Sequence, residues 1–173
     1  MIRADSKRGF TLIEMMVVVA IIALLASVVL VFGDQARITA RNTQRLQLVS
    51  DYRVALDLAY DANGKFPKTV GLYPLSDACL GTYPSGTCWS GFVYEEAAVD
   101  AVLNPYIPSA AEYPAVGLGG ADGLLYASTG LDDYDLTWML EGINKNCAPG
   151  RVQNGNYFGT GNTFCEFERN PAH

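Results

Sequence analysis

The chain has 173 residues, half of them hydrophobic, and 18 acidic against 12 basic side chains give it a net charge of −6 at neutral pH. An acidic exterior repels phosphate backbones and argues against general nucleic-acid binding. The one histidine is the terminal His173, a poor start for a hydrolytic triad, and the four cysteines contain no C-x-x-C pair of the kind that ligates zinc. No P-loop occurs, so the composition points away from an enzyme.

From Phe10 to Phe32 the only ionisable side chain is Glu14, and the other polar residues are Thr11 and Ser27. This run is long enough to cross a bilayer. Ahead of it, Met1 to Gly9 set Arg3, Lys7 and Arg8 against Asp5. No A-x-A-like site follows at Leu30-Val31-Phe32-Gly33-Asp34, so the apolar helix is expected to be retained. The stretch Lys7-Arg8-Gly9-Phe10-Thr11-Leu12-Ile13-Glu14 resembles the class III signal of type IV pilins and type II secretion pseudopilins. The resemblance implies that residues 1–9 are a leader, cut between Gly9 and Phe10 by a prepilin peptidase, with Phe10 then N-methylated. It further implies a platform membrane protein and an assembly ATPase as partners.

Glu14 is informative without the resemblance. A carboxylate at the centre of an apolar membrane helix costs about 2 kcal/mol or more, and less near one end. With Phe10 as the terminus, Glu14 is expected one turn from the new amino group, where it can meet the ammonium of a neighbouring copy. The alternative is a carboxylate that reaches the headgroups or stays protonated. Loss of residues 1–9 removes three basic and one acidic side chain, leaving nine Lys and Arg against seventeen Asp and Glu, a net charge of −8. The basic leader favours a cytoplasmic N-terminus, although Arg37, Arg41 and Arg45 beyond the run weaken the contrast.

Residues 34–61 contain no proline, and Leu46, Val49, Tyr52, Leu56 and Tyr60 recur at steps of three and four, one stripe of an amphipathic helix. Asn63-Gly64 followed by Phe66-Pro67 stops it. The expectation is one helix from Phe10 to Ala62, its membrane half ending near residue 33 and its amphipathic half covering 34–62. Gly33 is either a hinge or a tolerated surface glycine. The turn Asn63-Gly64-Lys65-Phe66-Pro67 resembles the helix exit of pilins, whereas the absence of proline between Phe10 and Phe32 departs from many of them.

Residues 63–173 read as a globular domain. A Gly-, Pro- and Tyr-rich loop is expected from Pro67 to Gly91, a short helix over Glu95–Leu103, and turns from Pro105 to Gly123. Strands are expected at Leu124–Ser128 and Tyr134–Leu140, joined as an antiparallel hairpin, with a third near Phe164–Glu168. Their apolar face would lie on the helix stripe. Four cysteines permit three pairings, and free buried thiols remain an alternative. Local pairing of Cys79 with Cys88 and of Cys147 with Cys165 suits the composition of both loops. The second pair also resembles the C-terminal disulfide of type IV pilins. Asp132, Asp133 and Asp135, with Asp122, are weak candidates for calcium, because a solvated polar turn explains them as well. No other cofactor is expected.

The fold class is therefore α+β, pilin-like. The function that the resemblance implies is that of a structural subunit of a helical filament, held single-pass in the cytoplasmic membrane with its N-terminus inside before assembly. After assembly it belongs to an extracellular pilus or periplasmic filament. The C-terminal cysteine loop favours a type IV pilin over a secretion or competence pseudopilin. A further alternative is an uncleaved, signal-anchored protein that binds a ligand through its loops.

Overall fold

The structure, a computed structural model, describes residues 10–69, 77–82, 88–89, 97–107, 112–114, 117–121, 123–128 and 132–169. Its elements in chain order are α1 (Leu12–Asn63), β1 (Asp77–Leu80), α2 (Ala97–Leu103), β2 (Leu124–Ala127), β3 (Tyr134–Glu141), β4 (Arg151–Asn154), a 3₁₀ turn (Tyr157–Gly159) and β5 (Asn162–Arg169). Two compact units meet between Thr39 and Ala40, within α1.

In the first unit the apolar side chains from Leu12 to Val28 are all exposed, Leu12 at 78% and Leu24 at 69%. Left uncovered among the described residues, they call for lipid or other helices. The helix continues through Gly33, where an added Cβ would meet nothing within 4 Å. The hinge alternative therefore gains no support from the backbone.

The second unit is built on the rest of α1. Val49, Tyr52 and Leu56 of the expected stripe are buried, and Leu46 and Tyr60 are partly buried at its two ends. Against them lie Leu136, Trp138 and Leu140 from β3 together with Leu80 and Leu124. The helix ends one residue later than expected, with Gly64 in the left-handed region at φ 70° and its N–H donated to the Tyr60 carbonyl at 2.7 Å. Phe66 then packs between the rings of Tyr60 and Tyr134, at centroid distances of 4.6 and 4.7 Å.

The sheet is antiparallel throughout, in the order β1-β2-β3-β5-β4. The β2–β3 pair has Leu125 opposite Thr137, and the β3–β5 ladder runs over eight pairs from Tyr134–Arg169 to Glu141–Asn162. Two strands correct the sequence reading. β1 lies inside the expected Pro67–Gly91 loop, because Ala78-Cys79-Leu80 is too short for a periodic signal yet pairs fully with β2. β4 lies inside the loop expected between Cys147 and Cys165; all four of its residues are exposed, so it is held by the backbone ladder to β5 and presents no apolar face to read. Within the expected second helix, α2 covers Ala97–Leu103, and Glu95 and Glu96 lie outside the described residues.

Candidate assembly site

The tip of α1 carries the charge that matters in an apolar setting. Leu12 is the first helical residue, which makes Thr11 the N-cap and Glu14 the third position, and the two close a reciprocal box. Glu14 Oε2 accepts from the Thr11 backbone N–H and from Thr11 Oγ1, both at 2.7 Å, and the Glu14 N–H is donated to Thr11 Oγ1 at 3.3 Å. The carboxylate thus satisfies donors that a helix start leaves open, and the helix dipole favours its charge there. Oε1 makes no hydrogen bond among the described residues. Phe10, 84% exposed, stands just ahead of the helix, not in its first turn. The pattern T-x-x-E at the head of an apolar run was the signal for this box, and a reading of Glu14 as a lone buried charge passes over it. Gly9, the other half of the expected processing site, lies outside the described residues.

A second ionic group fixes α1 to the sheet. Glu141, at the end of β3 and 6% exposed, accepts from Arg41 Nε and NH2 at 2.6 Å each and from Arg45 NH1 at 2.9 Å. Arg45 is fully buried; its guanidinium also donates to the Pro114 carbonyl, at 2.7 Å from Nε, and to Asn42 Oδ1 at 2.8 Å. Asn42 in turn bonds both the Glu141 carbonyl and its N–H at 2.9 Å. Burial pushes the Glu141 carboxyl up, but the hydrogen bonds and charges of Arg41 and Arg45 outweigh it and hold the group below the usual carboxylate range. Gly117 leaves the space this carboxylate needs, since a Cβ there would lie 2.5 Å from Glu141 Oε2. In the sequence, Arg41 and Arg45 look like charges flanking a membrane segment. Their partner lies about a hundred residues away, so no local pattern pairs them.

The sulfurs of Cys79 and Cys88 are bonded, as are those of Cys147 and Cys165. The first bridge packs with Leu125 and Trp89, and the second lies in the main core. The acidic turn is dispersed: Asp132 Oδ1 accepts from the Tyr60 hydroxyl at 2.8 Å, and the Asp133 carbonyl accepts from Ser128 Oγ. Asp135 projects from β3 opposite Glu168. Its carboxyl is pushed up to about 6, first by desolvation and then by Glu168, Glu166, Asp133 and Asp77. Asp122 lies outside the described residues, and no group of three or more metal-ligating side chains is gathered among those described.

An exposed apolar helix headed by a capped glutamate, and continuing into a small antiparallel domain, defines a pilin-like subunit. Residues 5–30 match the family described as the prokaryotic N-terminal methylation motif. The chain is also 30% identical over 157 residues to the type II secretion system protein H of Escherichia coli K12, covering 80% of this chain and 91% of that protein. It belongs to the family of type IV pilins and type II secretion pseudopilins. No solved structure matches it.

Proposed function

We propose that the chain is a structural subunit of a type II secretion pseudopilus, inserted in the cytoplasmic membrane by residues 10–33, cleaved after Gly9, methylated at Phe10 and then packed into a helical filament. The likeness to type II secretion system protein H supports the secretion assignment over a surface pilus. The observation that carries the filament reading is the tip of α1, where a run of exposed apolar side chains begins with a carboxylate whose Oε1 has no hydrogen-bond partner among the described residues. In lipid the capping box keeps Glu14 satisfied within its own chain. On assembly Oε1 is free to accept from the Phe10 ammonium of a neighbour, and the apolar faces exchange lipid for helix contact. Its partners are a prepilin peptidase, which acts before assembly, a platform protein and an ATPase, and its own role is architectural, with no catalysis and no cofactor.

A surface type IV pilus is the second reading, favoured by the disulfide that closes residues 147–165. Intact mass of the protein purified from membranes and from filaments tests both readings. Loss of residues 1–9 with one added methyl group is expected, and retention of Met1–Gly9 would refute filament assembly. Recovery of the filaments from the periplasm or from sheared surface material separates pseudopilus from pilus.

A further inference from the structure

Away from the helix tip, one flank of the second unit holds a groove of about 500 Å³ between α1 and the segment around Pro114. Leu48 and Pro114 are its apolar lining, and Asp51, Glu112, Gln44 and Gln47 line it with polar groups. Its walls are anchored: Arg45 donates to the Pro114 carbonyl, the Tyr113 N–H is donated to the Thr82 carbonyl at 2.8 Å, and Gln47 Nε2 donates to Asp51 at 2.8 Å. A lining that joins apolar side chains to carboxylates suits a lysine, whose methylene stem packs while its ammonium pairs.

The same chain offers such lysines. Of the arginines after Phe32, five form ion pairs and Arg53 lies over the Phe167 ring at 3.9 Å. Lys65 and Lys68 are exposed and make no ion pair among the described residues. The turn that presents them is fixed, with Phe66 buried, the Pro67 carbonyl accepting from the Tyr126 hydroxyl at 2.6 Å and the Thr69 N–H bonded to the Ser128 carbonyl. Along α1, Leu48 and the helix end at Asn63 are separated by about 22 Å at about 1.5 Å per residue. A contact between two such different places is heterologous, and it propagates as an open filament when its rotation does not close a ring.

We propose that the groove at Leu48 receives the Lys65–Lys68 turn of a second copy of this chain, an axial contact between globular domains that adds to the helix packing. The inference rests on the filament reading above. Its test is a charge exchange in the full-length chain, expressed with its assembly machinery, with filaments counted by electron microscopy. Lys65→Glu with Lys68→Glu, and separately Asp51→Lys with Glu112→Lys, place like charges together and are expected to lower filament number about tenfold. The four substitutions together restore it. Melting of each variant in detergent verifies folding, and Lys65→Gln with Lys68→Gln carries the same test, as a smaller loss, if a reversed variant does not fold. Wild-type filament numbers in either reversed variant, or a folded fourfold variant that fails to recover, overturns the contact and leaves the filament reading standing. No filaments from the unaltered chain overturns both.

Discussion

Replacing Glu141 with glutamine tests how the amphipathic half of α1 is held to the sheet. The substitution keeps the side-chain volume and removes the charge that faces Arg41 and Arg45. The Arg41 side chain is 25% exposed and can turn to water, but Arg45 is at 0% and is left as a buried cation with only neutral acceptors. Breaking a buried ion pair from one side costs about 3–5 kcal/mol. The amide still accepts a hydrogen bond, which places the expected loss near the lower figure, about 3 kcal/mol. For a domain of this size that is a fall in Tm of about 10 °C. The control is Asp57→Asn, which removes the pair with Arg169 where the two side chains are 52% and 39% exposed. Solvent-exposed pairs contribute about 1 kcal/mol or less. Both variants are melted in detergent by circular dichroism, in the full-length chain, at pH 7. If Glu141→Gln melts within about 2 °C of the unaltered chain, or no lower than Asp57→Asn, the cluster does not hold the helix as argued.

Asp135 has a folded-state pKa of about 6, above its unfolded value, so the folded state binds the extra proton between those two values and stability rises as pH falls from about 7 towards 4. Asp135→Asn removes that rise and raises the melting temperature at pH 7 to 8; a pH profile unchanged by the substitution contradicts the assignment. Gly150→Ala places a Cβ 2.3 Å from the Glu166 carbonyl and 2.5 Å from the Trp138 ring. It is expected to destabilise the domain by about 1–3 kcal/mol in urea unfolding, and a neutral result would mean that Gly150 does not lie against the Glu166 backbone and Trp138 as described. Replacing Cys147 and Cys165 together by serine opens a closed segment of 18 residues in sequence separation. The expected loss is about 3 kcal/mol, read as a lower urea midpoint.

Much of this architecture is legible in the sequence because the features that dominate it are periodic or local. The apolar run from Phe10, the stripe Val49-Tyr52-Leu56 and the Asn63-Gly64 stop each show within a short stretch of chain, and alternation along Tyr134–Leu140 marks β3. What escapes is non-local. Strand β1 exists through its pairing with Leu124–Ala127, and β4 is an edge strand whose four side chains all face solvent. The Arg41–Arg45–Glu141 cluster joins positions with no shared motif. The Thr11–Glu14 box is the exception, since it is local and has a recognised pattern; attention to the charge of Glu14 alone hid its role as a cap.

In the proposed filament, the apolar rod headed by Glu14 drives assembly. Glu14→Gln keeps the size and the Thr11 hydrogen bonds while removing the charge available to a neighbour's ammonium. Filaments recovered from cells carrying that variant as their sole copy, counted by electron microscopy with subunit levels in the membrane held equal, are expected to fall at least about tenfold, in line with loss of a charge-assisted pair in an apolar surround. Filaments in wild-type number would overturn the role proposed for Glu14.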